Sequence, residues 1–270
     1  MKTTSKSNPS KPLDAQSQAL EPQAFPSPLA VPVFAAILAP AKEGGLALKS
    51  FVNAVLADSH EDPLLSDILT VTIKRERSKD RKSVIFEYLL ARGADKEVIV
   101  LNAQLTPFEA YFNYLFYFSQ RDYDFIRYES GEFLENPLFE PRLISIGLYN
   151  DIIRPNVKNF HQIVEFAYRE DPQIVWPATR THLLQLPLFK KFPPDDYTNP
   201  LRWWLKGITT AHDRKISLRA AVNLDDNLKN FYQADQGFAQ FVDRHERVIS
   251  RPGIMKSYRL WETNLAKLKK

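Results

Sequence analysis

Three short runs of alternating, largely β-branched residues constrain the fold of this chain more than any other feature. They are ILTVTI at 68–73, SVIFEYLL at 83–90 and EVIVL at 97–101. An alternation with a period of two is typical of strands, and the segments 74–82 and 93–95 contain the polar and glycine residues of turns. The sequence therefore predicts three successive strands that pair as a meander.

Two apolar segments before these strands have helical spacing. Residues 32–38 form a short helix that Pro40 and the pair Gly44-Gly45 should end. The segment that follows repeats apolar residues at helical intervals. These residues are Leu46, Leu48, Phe51, Val52, Val55 and Leu56. We expect both helices to bury their apolar faces in the core.

After the third strand the sequence predicts one more helix and one more strand. Thr106 can cap a helix whose apolar positions recur at helical spacing, which favours packing in the core over stacking on nucleic-acid bases. These positions are Phe108, Tyr111, Phe112, Leu115, Phe116 and Phe118. Residues 142–149 form the further strand. The order of helices, three strands, helix and strand is that of a restriction-endonuclease-like α/β core, in which helices flank a mixed sheet.

Composition and charge narrow the class of protein. The chain has 270 residues, of which 44% are hydrophobic and none is cysteine, so it can bury a sizeable core but has no disulfide or thiolate metal ligand. No window reaches the roughly 18 consecutive apolar residues of a membrane span, and the amino terminus lacks the apolar centre of a signal peptide. We therefore expect a cytoplasmic protein. Its net charge of +4 is compatible with a nucleic-acid partner.

The first 30 residues differ in composition from the rest of the chain. They are rich in Ser, Pro, Gln and Lys and have no periodic apolar residues, so burial cannot offset the entropy of ordering them. We predict a disordered leader over residues 1–30 that is dispensable for folding. The alternative interpretation is an arm that binds a partner.

The segments in their order resemble one known family. The chain reads PVFAAIL, ALKSFVNAVL, KRERSKDRK and VIVLNAQ between residues 32 and 104, then THLLQLPLFKK at 181–191 and NPLRWWLK at 199–206, and it ends in charged helices over 238–268. This succession is similar to the Rpn family of recombination-promoting nucleases, also described as PD-(D/E)XK nuclease family transposases. The resemblance implies a nuclease-like core over 31–155, a mainly helical region over 156–270, and a magnesium-dependent endonuclease acting on double-stranded DNA.

The family's catalytic residues are only partly kept in this chain. The resemblance places the site on Glu87, Asn102 and Gln104, with Glu87 and Asn102 as ligands of Mg²⁺. Gln104 is retained, but Asn102 replaces the family's metal-binding glutamate. Because Mg²⁺ prefers carboxylates, we expect the site to hold the metal poorly. Three hypotheses stay open: an active endonuclease, an inactive relative that binds DNA, and a protein-interaction module that uses the carboxy-terminal helices.

Residues 74–82 carry six positive charges and can contact DNA phosphates without reading sequence. The cations are Lys74, Arg75, Arg77, Lys79, Arg81 and Lys82. The alternative is a solvated hairpin turn. The five histidines lack metal-ligand spacing and there is no glycine-rich phosphate loop, so we expect neither zinc nor a nucleotide cofactor. A homo-oligomer stays open.

Two literal matches to the nuclease motif are interpreted as chance. One combines Pro194-Asp195 with Asp213 and Lys215, and the other is Asp80-Arg81-Lys82. The residues between the parts of the first match have a helical pattern, and the second lies in the basic turn. Neither context provides the adjacent strands that the motif requires.

Overall fold

The protein forms a six-stranded mixed sheet flanked by helices, as the alternating runs predicted. The structure, a computed structural model, describes residues 25–39, 41–61, 63–77, 84–104, 121, 141–153, 156–167, 175–193 and 198–268. The strands are β1 (Ile68–Arg77), β2 (Val84–Gly93), β3 (Val98–Gln104), β4 (Leu143–Tyr149), β5 (His161–Ala167) and β6 (Val175–Gln185), and their order in the sheet is β1-β2-β3-β4-β6-β5.

Strand direction divides the sheet into an antiparallel and a parallel part. Strands β1, β2 and β3 pair antiparallel, which confirms the predicted meander. Strand β4 then pairs parallel with both β3 and β6, and β5 returns antiparallel on β6. The turn between β2 and β3 is closed by the amide of Gly93, which donates to the carbonyl of Glu97 at 2.9 Å. The sheet therefore takes strands from both the 31–155 and the 156–270 ranges.

Helices precede the sheet and follow it. They are α1 (Val31–Leu38), α2 (Ala41–Asp58), α3 (Leu186–Lys191), α4 (Pro200–Arg214), α5 (Leu218–Asn223), α6 (Asp226–Ala234), α7 (Gln236–Ile249) and α8 (Pro252–Leu268). Side chains that accept amide hydrogens begin several of them, for example Asn199 from Leu201 at 2.9 Å in α4. The predicted helix start at 199–206 and the predicted terminal helices are confirmed. No helix in the described part of the chain is long and apolar enough to cross a membrane.

Aromatic side chains from four helices form the centre of the larger core. The Trp204 ring of α4 is fully buried, with its centroid 5.3 Å from Phe51 of α2 and 5.0 and 5.1 Å from Phe238 and Phe241 of α7. Phe34 of α1 contacts Phe51 and Phe241 edge-on. Such edge contacts add to the free energy gained from area burial. This core covers one side of the sheet, which we call the first face.

The first and second faces of the sheet are separated by strand alternation. Leu89, Leu101, Ile146 and Leu184 belong to the core of the first face. The alternate positions form a smaller cluster on the second face, made of Tyr88, Val98, Val100, Leu143, Tyr149 and Leu183. Because successive side chains of a strand point to opposite sides, every strand residue can be assigned to a face from its neighbours.

Two predicted element boundaries were wrong. Strand β1 continues to Arg77, so residues 74–77 are strand and only the residues after them connect β1 to β2. Helix α2 begins at Ala41 and runs through Gly44 and Gly45, because glycine costs a helix only about 1 kcal/mol and the buried face of α2 outweighs that cost. Leu46, which was expected in the core, is 43% exposed.

The predicted end of the leader was also wrong. Leu29 and Ala30 are fully buried, and the amide of Phe25 donates to the carbonyl of Lys215 at 3.3 Å. Ser27 Oγ lies 2.8 Å from His212 Nδ1. Residues 25–30 are therefore part of the fold, since their apolar side chains extend the buried face of α1. Residues 1–24 and the predicted helix after Thr106 lie outside the described residues.

Candidate functional site

The predicted site lies on two neighbouring strands. Strand β2 carries Glu87, and β3 carries Asn102 and Gln104. The two strands pair with Leu89 opposite Leu101, so the predicted adjacency is confirmed. The side chains of Glu87 and Gln104 lie outside the described set, and the strand register gives their positions.

The register assigns Glu87 and Asn102 to different faces. Position 87 pairs with Arg75, and the β1–β2 register is continuous from the pair Ile73–Leu89 to the pair Glu76–Phe86. Position 87 therefore has the parity of Leu89, which belongs to the first face. Position 102 has the parity of Val100 on the second face, and so does position 104. The structure thus brings positions 102 and 104 to one face and position 87 to the other.

Asn102 lies in a buried neighbourhood of neutral polar groups. It is 1% exposed and stands opposite Gly147 of β4. A Cβ atom at Gly147 would lie 2.2 Å from the Tyr149 ring, so only glycine lets that ring lie beside Asn102's strand partner. The other buried polar side chains of this face are Ser145, Thr181 and Gln185. Burial raises the pKa of Tyr149, so its hydroxyl stays neutral.

These groups do not fit a magnesium ion. Mg²⁺ in proteins is bound through carboxylates and water in near-octahedral geometry. The described side chains around Asn102 are neutral, and the described residues contain no group of three or more His, Cys, Asp or Glu that could hold a metal. An amide in a buried row of amides and hydroxyls is satisfied by hydrogen bonds instead.

A second polar cluster on the first face was not predicted. It joins the end of α2 to strands β5 and β6. Asp58, the last residue of α2, places Oδ2 at 2.7 Å from His161 Nδ1. His161 Nε2 lies 3.1 Å from His182 Nδ1, and His182 Nε2 lies 3.3 Å from Glu61 Oε1. We call these four residues the histidine chain.

Arginines compensate the carboxylates of the histidine chain. Glu61 Oε2 lies 3.2 Å from Arg142 Nη2 and 3.0 Å from Arg180 Nη1. Burial opposes the ionisation of Glu61, but His182 and Arg180 outweigh it and hold the pKa of Glu61 below its usual range. Burial, followed by the charge of His161, lowers the pKa of His182 to about 3. Arg180 Nε also pairs with Glu165 at 2.7 Å.

Local spacing gave no signal for the histidine chain, because its members are far apart in sequence. His161 and His182 meet diagonally across the β5–β6 ladder, in which Ile163 pairs with His182. Glu61 reaches them from the turn after α2. Only alternation within β6, which makes His182 a core position, could have indicated a buried histidine.

The predicted DNA-contacting cations lie on and beyond an edge strand. Lys74 is half-buried and Arg75 is exposed, and both belong to β1, which has one strand neighbour in the described sheet. Arg77 ends β1, while Lys79, Arg81 and Lys82 lie outside the described residues. A charged edge strand also discourages pairing with another chain, which gives these residues a second physical role.

The literal motif matches have no strand context among the described residues. Asp213 lies in α4 and pairs with Lys190 Nζ at 3.0 Å. Lys215 adopts a left-handed conformation with φ of 53° at the end of that helix. Asp80, Pro194 and Asp195 lie outside the described residues. The interpretation of these matches as chance therefore stands where the structure describes them.

Comparisons with protein-family models, with curated proteins and with solved structures find no match to this chain. The resemblance to the Rpn family therefore depends on the residue patterns and their order. The fold supplies the class of molecule, a mixed α/β sheet with a helical carboxy-terminal region. Function has to be argued from the site.

Proposed function

We propose that this protein is a DNA-binding relative of the PD-(D/E)XK recombination nucleases in which metal-dependent cleavage is impaired. The observation that carries the proposal is the position of Asn102. It occupies the motif position of the metal-binding glutamate, it is buried among neutral groups, and Glu87 has the parity of the other face. A phosphodiesterase of this class needs carboxylates that converge on one metal.

The order of elements supports a nuclease-like fold. Two helices come first, then an antiparallel meander, and then a strand that joins the meander in parallel through β3. The sequence motif ends β3, at the junction between the antiparallel and parallel parts of the sheet. Such a junction is a place where open α/β sheets bind ligands, at the carboxyl ends of their parallel strands.

The first test is plasmid cleavage with Mg²⁺ and with Mn²⁺, using EDTA as the blank. We expect neither the wild type nor Asn102→Glu to cut, because restoring one carboxylate does not bring Glu87 to the same face. Cutting by Asn102→Glu that disappears in Asn102→Glu/Glu87→Ala would show that the two residues share a site. Cutting by the wild type that is lost in Glu87→Ala would establish the active endonuclease instead.

The second test measures DNA binding. Replacing Lys74, Arg75, Arg77, Lys79, Arg81 and Lys82 by Ser should weaken duplex binding equally for unrelated sequences. Each lost phosphate contact should reduce the slope of log K against log salt by about 1. The matched control replaces six exposed cations elsewhere, Arg214, Lys229, Arg247, Arg251, Lys256 and Arg259. Equal effects of the two sets would assign the binding to net charge and remove the basic segment as the interface.

One observation favours the second candidate, a protein-interaction module. Leu260 of α8 is 63% exposed, and Tyr258 and Trp261 of the same helix stack with centroids 6.0 Å apart. An apolar side chain on a terminal helix can contact a partner protein. If neither cation set changes DNA binding because the wild type binds no duplex, this candidate replaces the first.

A further inference from the structure

The histidine chain has a hydrogen-bond acceptor at both ends. Asp58 and Glu61 are carboxylates, and between them lie two imidazoles with facing nitrogens. The chain has three contacts, at 2.7, 3.1 and 3.3 Å, and each joins two atoms that only accept unless one of them carries a hydrogen. Two neutral imidazoles supply two hydrogens. Three contacts need three.

A chain with only two hydrogens would leave one contact with facing lone pairs. Asp58 would take the hydrogen on His161 Nδ1, and His161 Nε2 would then accept from His182 Nδ1. The remaining nitrogen, His182 Nε2, would face the Glu61 carboxylate without a hydrogen. His182 is fully buried, so water cannot separate the two acceptors. A buried polar group without its hydrogen bond is unfavourable.

The charges around the chain permit an additional proton. Every packed element contributes to them. Helix α2 supplies Asp58, the next turn Ser59 and Glu61, the residue before β4 Arg142, β5 His161 and Glu165, β6 Arg180 and His182, and α4 Arg202, whose Nε lies 4.0 Å from Asp58 Oδ1. Three carboxylates face three arginines. The surrounding charges therefore balance, and it is the hydrogen-bond geometry that calls for the proton.

We propose that the folded protein holds a third proton in the histidine chain at neutral pH, with His161 as an imidazolium and His182 as a neutral imidazole. His161 then donates both to Asp58 and to His182 Nδ1, and His182 donates through Nε2 to Glu61. All three contacts are satisfied. Burial keeps His182 neutral, which leaves the shorter contact, beside Asp58, for the charged ring.

The third proton makes the junction between α2 and the β5–β6 pair sensitive to pH. In the unfolded chain both histidines have the ordinary pKa of about 6.5. Above that pH the folded state binds one proton more than the unfolded state, so unfolding releases a proton. Stability from this source is present below pH 6.5 and decreases as pH rises. Release of one proton raises the unfolding constant tenfold for each pH unit.

The direct test is an ¹⁵N spectrum of the imidazoles in the full-length protein labelled at histidine. At pH 7.5 we expect hydrogens on three of the four ring nitrogens of His161 and His182. His161→Asn and His182→Asn assign the signals. Two protonated nitrogens, one on each ring, would overturn the proposal.

An independent test compares stability between pH 7 and 8. His161→Asn keeps a side-chain donor for Asp58 but cannot take up a proton. The matched control is His60→Asn, because His60 is exposed and has φ of 57°, a conformation that asparagine tolerates. The unfolding constants of the wild type and of His60→Asn should rise about tenfold more over this range than that of His161→Asn. Equal rises in all three proteins would refute the third proton.

Discussion

The two faces of the sheet treat buried polar groups in opposite ways. On the second face, the neighbourhood of Asn102 is built from amides and hydroxyls without charge. On the first face, Glu61 and Asp58 keep their carboxylates because arginines and imidazoles lie against them. Buried charge persists where it is paired and hydrogen-bonded. A metal site needs carboxylates that only the metal compensates, and the described part of neither face provides them.

The largest effect is expected from Glu61→Ala. This change leaves Arg142, Arg180 and the histidine chain without their common carboxylate, and breaking a buried ion pair in this way costs about 3–5 kcal/mol. Urea unfolding measures the loss. Glu165→Ala is the matched control, because Glu165 pairs with the same Arg180 but its side chain is 33% exposed, and it should cost about 1 kcal/mol or less. Similar losses would mean that burial does not distinguish the two carboxylates.

Acid should destabilise the protein through His245, a buried histidine that contrasts with His161. Its Nδ1 accepts from the amide of Leu218 at 3.3 Å, so its Nε2 carries the hydrogen toward the carbonyl of Pro26. Burial lowers its pKa to about 4. The unfolded histidine therefore binds a proton first as pH falls from 6.5. Stability from this source is complete above pH 6.5 and lost as pH falls through about 4, a change of about 3 kcal/mol.

His245→Asn checks this sign. Its side-chain oxygen can still accept from Leu218, but the position no longer titrates. The acid-induced loss of stability between pH 6.5 and 4 should be smaller in the variant than in the wild type. A variant with the same acid profile as the wild type would show that other groups cause the acid transition.

A smaller effect is expected from shortening the chain, which tests how far the first face extends. A protein that begins at Ala30 lacks Leu29, whose burial contributes about 2 kcal/mol, and the contact of Ser27 with His212. A protein that begins at Phe25 keeps both and is the control. Thermal unfolding should separate the two. If both proteins are as stable as the full chain, residues 25–29 add nothing to the core.

The smallest effect is expected from Asn102→Leu. The side chains are similar in size, and exchange of one buried hydrogen-bonding group changes stability by about 1 kcal/mol. The free energy of unfolding of this variant measures the neutral cluster directly. A loss as large as that of Glu61→Ala would contradict the difference between the two faces.

Local pattern was sufficient where one residue determines the state of its neighbours. The meander, β4 and the terminal helices follow from alternation, turn residues and helical spacing, and all are present. Strand β1 exceeded its predicted length because Lys74 to Arg77 are polar, and an edge strand accepts polar residues that a central strand does not. The leader was overextended because its composition hid the buried Leu29.

The sequence by itself determined the elements, their order and the presence of Asn102 where the motif resemblance places a glutamate. Only the tertiary structure decided which residues face each other. The β1–β2 register sets the face of position 87, and the β5–β6 ladder brings His161 to His182. The physical reason is that pairing register and helix packing depend on contacts between segments distant along the chain, so the assembly of Asp58, Glu61 and the two histidines has no local signature.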